Sequence, residues 1–180
     1  KTGVYKHHDA FKTRLIEKYS DGELDRWYAL YSQVKNASFE LNSFAQPKKL
    51  FTEMLSYPNF EVMEYTITSE DVDTVVGITF SHVNQKNYNG IILGLDYDYL
   101  KSHDLYKQVL YRTRKRAEEI GCEKIYLGFT ASDVKQKLGA IGIPQVSMIQ
   151  MKDHYNLSVL SLFSETGATQ GNRSERIMVN

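Results

Sequence analysis

The sequence predicts an α/β fold of the α+β kind, with a mixed, mostly antiparallel sheet and flanking helices. Three observations carry this. Phe60–Ile67, Thr74–Val83 and Gly90–Tyr97 are rich in β-branched and aromatic residues and are separated by short turn segments, which predicts an antiparallel meander. From Ile91 to Tyr155 the pattern becomes strand, crossover helix, strand, short helix, glycine turn, strand. Residues 1–56 carry apolar positions at helical spacing. A chain of 180 residues suits one domain. Its expected extent is residues 1–163: a helical amino-terminal part at 1–56 and a sheet core at 60–163. Residues 164–180, polar and glycine-bearing, are expected to form a flexible tail or linker.

Each element has a local reason. In Phe11–Tyr19 the apolar residues fall at helical intervals, so a first helix is expected there. Asp21 reads as the N-cap of a second helix with Leu24, Trp27, Tyr28, Tyr31 and Val34 on one stripe. Pro47 suits the first turn of a short third helix holding Leu50, Phe51, Met54 and Leu55, which Tyr57-Pro58-Asn59 ends. Ser69–Asp73 and Asn84–Asn89 are the turns of the meander. A basic helix spans about Asp104 to Ile120, its apolar stripe being Leu105, Val109, Thr113, Ala117 and Ile120. Arg112, Arg114, Lys115 and Arg116 then lie mainly away from the core. Lys124–Phe129 and a stretch near Val146–Met151 read as strands, with a short helix from Ser132 between them.

Composition excludes several function classes. With 42% hydrophobic and 24% charged residues, the chain is an ordinary globular sequence. A formal net charge of zero gives no global attraction to DNA or to a membrane surface. No apolar run approaches the roughly 20 residues needed to cross a bilayer. The single cysteine, Cys122, excludes an intrachain disulfide and fits a reducing, cytoplasmic setting. The histidines lack the spacing of a metal site, so no metal is expected.

Candidate chemistry gathers at the end of the third meander strand. Asp96 and Asp98, two residues apart on an extended chain, would share a face. Either carboxylate could take a proton from an amine; the alternative is strand-end solvation and helix capping. Tyr97, Tyr99 and Tyr126 offer phenolic protons, although with 13 tyrosines in the chain proximity to a site is easily met by chance. Lys135 and Lys137 cannot both face a crevice, because positions two apart on a helix diverge. Lys135 has the better spacing to Gly139.

The element order, together with Ala117-Glu118-Glu119-Ile120-Gly121, Lys124-Ile125-Tyr126-Leu127-Gly128 and Lys135-Gln136-Lys137-Leu138-Gly139, resembles the GNAT-like acyl-CoA N-acyltransferase superfamily. Within it, the chain looks most like the FemAB-like and BioF-fused acetyltransferase branch, a bacterial-type domain. The resemblance covers about residues 60–155. It implies a splay between the fourth and fifth strands, with backbone around Leu93, Gly94 and Leu95 polarising a thioester carbonyl and Gly94 marking a bulge. It implies a tyrosine, Tyr126 or Tyr99, as proton donor to the leaving thiolate. Lys135 would contact a substrate phosphate. Acetyl-CoA or another acyl-CoA is the implied co-substrate, with Lys101, Ser102 and His103 as the phosphate-side contacts.

One stretch departs from the superfamily pattern. Where a Q/R-x-x-G-x-G/A loop would bind the pyrophosphate, the chain reads Leu100-Lys101-Ser102-His103-Asp104-Leu105, without glycine. The resemblance implies an N-acyltransferase in which a primary amine attacks an acyl-CoA thioester directly. Two other readings stand beside it: FemAB-like aminoacyl transfer to a cell-wall precursor, and a non-catalytic accessory domain of a larger enzyme. The expected partners are accordingly a small-molecule amine, a lipid or cell-wall precursor, and a fused or docked enzyme domain.

Overall fold

A computed structural model of the chain describes residues 8–37, 45–69, 71–128, 132–144 and 175–179. Among these, the strands are β1 (Phe11–Leu15), β2 (Phe60–Ser69), β3 (Val72–Asn84), β4 (Asn87–Leu95), β5 (Lys124–Tyr126), β6 (Ile141–Pro144) and β7 (Glu175–Val179). The α-helices are α1 (Asp21–Ala37), α2 (Lys48–Leu55), α3 (Leu105–Glu119) and α4 (Ser132–Lys137). The strands form one sheet in the order β1-β2-β3-β4-β5-β7-β6. Every neighbouring pair is antiparallel except β4 and β5, which run parallel because α3 crosses over between them. This is the predicted mixed, mostly antiparallel sheet with flanking helices.

The meander forms where its composition predicts. β2, β3 and β4 are joined by tight turns in which Asp71 and Gln85 take positive φ values of 60° and 53°. Helices cover both faces. On one, Leu24, Trp27, Leu30 and Tyr31 of α1 and Phe51 and Met54 of α2 pack on Val62, Ile78, Phe80 and Ile92. On the other, Leu105 and Val109 of α3 pack with Phe11, Met63, Tyr65, Ile67, Val76 and Leu95.

The crossover helix is also tied to the sheet by polar contacts. Arg116 donates to Glu61 (3.0 Å from Nη2), and the Tyr88 hydroxyl donates to the same carboxylate at 2.6 Å. Burial and the adjacent Glu61 carboxylate hold the Tyr88 phenol well above its ordinary range. The Tyr65 hydroxyl lies 3.0 Å from Thr113 Oγ1, and burial pushes its pKa up to about 12. Arg112 and Arg116 are therefore not on a solvated face as expected. Arg112 sits over the Phe11 ring at 5.4 Å and is half-buried.

The first helix expected at Phe11–Tyr19 is not formed. Phe11–Leu15 instead pairs antiparallel with Met63–Ile67. β2 is ten residues long, and β1 satisfies backbone groups along its flank that would otherwise lack partners, a larger constraint than local periodicity. The N-cap of α1 is Ser20 and not Asp21. The Ser20 carbonyl accepts from Leu24 N–H, and its hydroxyl accepts from Glu23 N–H at 3.3 Å. Glu23 Oε2 accepts from Ser20 N–H at 2.8 Å, which completes a capping box. In the stretch expected to be a tail, Glu175–Val179 is a strand inserted between β5 and β6. The strand expected near Val146–Met151 lies outside the described residues; β6 ends just before it.

Helix and sheet approach each other closely at Gly94. A Cβ there would stand 2.7 Å from Tyr31 N and from Ile78 Cγ2, and 2.9 Å from the Leu30 carbonyl carbon. Only glycine lets α1 lie this near β4.

Two tests follow from this packing. Gly94→Ala is expected to destabilise the fold by about 3 kcal/mol in urea denaturation, since two of the three clashes are with helix backbone that cannot turn aside. The ion pair with Arg14, followed by the Ser20 bonds, lowers the Glu23 pKa from 4.5 to about 2. Because the folded-state value is depressed, the stability Glu23 contributes is fully present above about pH 4.5 and is lost as pH falls toward 2. Glu23→Gln should flatten this part of the acid-denaturation curve and leave the neutral-to-alkaline part unchanged in shape.

Candidate active site

The sheet opens between β4 and β5. Their parallel pairing covers only Asn87, Tyr88 and Asn89 against Lys124, Ile125 and Tyr126. β5 then ends, while β4 continues to Leu95 on the β3 side. Among the described residues, β4 from Gly90 onward has no strand on its second edge. Such an edge presents N–H and C=O groups to any extended polar ligand laid beside it.

A β-bulge lies at the opening. Phe80 pairs with Ile92 but Ser81 pairs with Gly90, so Ile91 is the extra residue of β4. The bulge expected at Gly94 is thus three positions earlier, and Gly94 serves the helix contact. The bulge also exchanges the faces of β4. Tyr88 belongs to the cluster with Ala117 of α3, whereas Ile92 joins the α1 cluster and Leu93 and Leu95 return to the α3 side. Ile91 itself is 49% exposed beside the opening.

Asp96 and Asp98 do not share a strand face, because β4 ends at Leu95 and Tyr97–Tyr99 form a 3-10 turn. Asp96 is buried and caps that turn: its Oδ1 accepts from Asp98 N–H at 3.2 Å, and its Oδ2 accepts from Arg26 at 2.6 Å. Arg26 also bonds the Val75 carbonyl at 2.7 Å. The capping alternative therefore describes Asp96. Asp98 is exposed on the turn. Tyr97 is 39% exposed, its N–H bonds Gln33 Oε1 at 3.0 Å, and partial burial raises its phenol pKa. Tyr99 packs against the Phe11 cluster, with its ring 5.5 Å from that of His103. Tyr126 closes β5 opposite Asn89, at the mouth of the opening. Lys135 is buried, its ammonium 3.4 Å from the Gly128 carbonyl just after β5, while Lys137 is exposed. Tyr126 and, through the Gly128 carbonyl, Lys135 thus lie where the sheet begins to open, while Asp96 and Asp98 follow the far end of β4. Arg26 and Ile91 were missed by sequence reasoning: a surface-type arginine in a helix and an isoleucine in a strand give no local signal.

The residues present fit the thioester end of the implied co-substrate, because an open β4 edge with a bulge can hold an extended amide chain. The loop that would face its diphosphate holds no glycine and leads into an α3 N-terminus without a side-chain cap. Six amides of the β4–α3 loop already donate within the protein: Asp96 to Val76, Tyr97 to Gln33, Asp98 and Tyr99 to Asp96, Leu100 to Tyr97 and His103 to Tyr99. Ser102 Oγ is held by the Asp98 carbonyl at 3.2 Å and by His103 Nδ1 at 2.9 Å. The left-handed position before α3, at φ 50°, carries the Asp104 carboxylate. Of the three phosphate-side candidates, Lys101 and Ser102 are exposed and His103 is half-buried, with Ser102 and His103 engaged as described. Among the described residues, no group of three or more His, Cys, Asp or Glu could hold a metal ion. No described helix is long and apolar enough to cross a membrane.

Comparison with known proteins agrees with this geometry. The family model for the acetyltransferase (GNAT) domain matches residues 5–136. No curated protein matches the sequence. Among solved structures, the chain is similar to the ribosomal-protein-S18-alanine N-acetyltransferase of Escherichia coli, at 13% identity and a TM-score of 0.57, covering 93% of this chain and 91% of that one. It is also similar to a spermidine N-acetyltransferase chimera built from the Vibrio cholerae enzyme, at 9% identity and a TM-score of 0.61, covering 94% and 95%. A Bacillus subtilis acetyltransferase in complex with CoA gives 13% identity and a TM-score of 0.54 over 94% and 98%. At these identities the likeness establishes the fold.

The Arg26–Asp96 pair gives a test of the strand-end geometry. Asp96→Asn and Arg26→Ala are each expected to cost about 2 kcal/mol of stability, and a double-mutant cycle should return a coupling above about 1 kcal/mol.

Proposed function

The chain belongs to the acetyltransferase (GNAT) domain family, and on that premise we propose that it is an N-acyltransferase in which a primary amine attacks an acyl thioester directly. The observation that carries this reading is the opening of the sheet at β4. Three paired residues hold β4 and β5 together, and beyond them a bulged strand, with no strand on its second edge among the described residues, runs to the helix-capping turn. An N–H displaced by the bulge at Ile91 is a preorganised donor of the kind that stabilises an oxyanion. The thioester carbonyl would lie against it.

The remaining roles fall to side chains at the two ends of the free β4 edge. Asp98, the exposed carboxylate, accepts the ammonium proton, directly or through water; both oxygens of Asp96 already have partners. Tyr126 supplies the proton to the leaving thiolate, supported by its place at the end of β5. Tyr99 is less suited, being packed against His103. The bond formed is C–N and the bond broken is C–S; one proton leaves the amine and one reaches the sulfur. The acceptor is a small amine in this reading. The S18-alanine and spermidine enzymes of the same fold, by their names, act on amines.

Thiol release from short-chain acyl thioesters in the presence of a panel of primary amines tests this. Asp98→Asn and Tyr126→Phe are each expected to lower kcat by about 100-fold, the size of a general acid or base contribution. Turnover unchanged in both variants would remove these assignments.

A further inference from the structure

We propose that the groove between β1 and α3 docks an extended acidic peptide segment, which adds to the sheet as a strand on the outer edge of β1. The site is separate from the candidate active site, with β2 and β3 lying between β1 and β4, and it stands whether or not the transferase reading holds. β1 ends the sheet, and among the described residues no strand pairs with its outer edge. Its register fixes which backbone groups point there. Ile16 N–H donates to the Val62 carbonyl at 2.9 Å, next to the Leu15–Met63 pair. Hydrogen-bonded pairs alternate along an antiparallel ladder, so Lys12 and Arg14 bond to β2 while Phe11, Thr13 and Leu15 turn their backbone groups outward. In agreement, the Phe11 carbonyl accepts from Arg112 Nη2 at 3.3 Å. Thr13 and Leu15 offer their N–H and C=O groups to an incoming strand. The side chains of the same three residues alternate toward α3, where Phe11 shares a core cluster with Met63 and Val109. Opposite them, Arg112, Lys115, Arg116 and Glu119 recur at helical spacing on one face of α3, and the groove between has a volume of about 570 Å³.

Charge selects the occupant. β1 bears Lys12 and Arg14 and no carboxylate. Their partners stand inboard of the edge: Asp73 of β3 lies 3.2 Å from Lys12, and Glu23 of α1 and Glu64 of β2 lie beside Arg14. On the other face, Arg116 is held by Glu61 of β2 at 3.0 Å, and Lys115 shares Glu118 with Arg114, at 3.4 Å against 2.8 Å. Asp9 acts on Arg112 from just ahead of β1, and Glu119 lines the groove beyond Arg116. Between these two carboxylates the rim is cationic on both faces of the strand. The Lys12, Arg14 and Lys115 side chains are all more than half exposed, and exposed ion pairs are weak, so an incoming carboxylate can share these cations. A second copy of β1 is the wrong partner. In an antiparallel pair centred on Thr13, Lys12 and Arg14 would meet their counterparts cation against cation. Residues 1–7 carry Lys1 and Lys6 and no carboxylate, which is again the wrong charge. The five residues of β1 span about 17 Å, which sets the docked segment at about five or six residues.

The test is fluorescence anisotropy of the full chain with a labelled hexapeptide of alternating valine and glutamate at low salt. A Kd of about 100 μM or tighter is expected, weakening as salt is added. Lysine in place of glutamate should weaken binding by about tenfold or more. N-methylation of the peptide nitrogens that face β1 should do the same, because it removes ladder donors. On the protein, Lys115→Glu changes an exposed side chain far from the candidate active site and should weaken binding by about fivefold. Thr13→Pro deletes an outward N–H and no bond to β2, so it should weaken binding by about tenfold, whereas Thr13→Val keeps the affinity. If Thr13→Pro does not fold, as judged by urea denaturation, the N-methylated peptide decides the same question on the unaltered chain. No binding of the glutamate peptide overturns the proposal, as does equal binding of the lysine peptide or indifference to N-methylation. A dimer in sedimentation that the peptide does not dissociate and that Thr13→Pro abolishes would assign the edge to a second copy, and also overturns it.

Discussion

Everything at the open end of the sheet depends on how closely α1 lies on β4. The contact at Gly94 brings helix backbone to the strand with no side chain between them, a distance that Ile78 and the Leu30–Tyr31 peptide leave no room to relax. Two polar ties on either side hold the helix in register with the strand end. Arg26 bridges the Val75 carbonyl and Asp96, and Gln33 receives the Tyr97 amide. The end of β4 is therefore fixed from one face by a helix, before any ligand is considered. A preorganised site needs this kind of support from elements that do not themselves react.

The two bulges complement this constraint. Val76 is the extra residue of β3 between its pairings with Tyr65 and Thr66, and Ile91 is the extra residue of β4. Each adds local twist and changes which face later residues occupy. On β4 the change lets Tyr88 serve the α3 side before the bulge and Leu93 and Leu95 serve it afterwards, while glycine falls opposite α1. The carbonyl of Val76 accepts from Asp96 N–H at 2.8 Å, so the β3 bulge meets the end of β4. The irregularities are linked, and the strand end is their common product.

The residue types of the candidate site were legible in the sequence and their geometry was not. The aromatic-acidic tract follows directly on the end of β4, and Lys135 is buried where Lys137 is exposed. The division of labour within the tract was not legible. Asp96 and Asp98 look equivalent at a spacing of two, and only the turn at Tyr97–Tyr99 makes one a buried cap and the other an exposed carboxylate. The glycine-free loop was visible as a departure, but the bonds of the amides that follow β4 were not, because their partners come from β3, α1 and the turn itself.

By itself the sequence determined the meander, α1, α2 and the crossover helix, because each rests on local signals: β-branched runs between turn residues, an apolar stripe, a proline before a short helix. Tertiary structure decided the rest. Phe11–Leu15 became a strand although its apolar spacing suits a helix, and Glu175–Val179 became a strand within a polar segment. In both, a strand already in the sheet offered unpaired backbone groups. Satisfying those groups outweighs the weak conformational preference of five residues. The position of the bulge was likewise beyond the sequence, since register is a property of two strands and not of one.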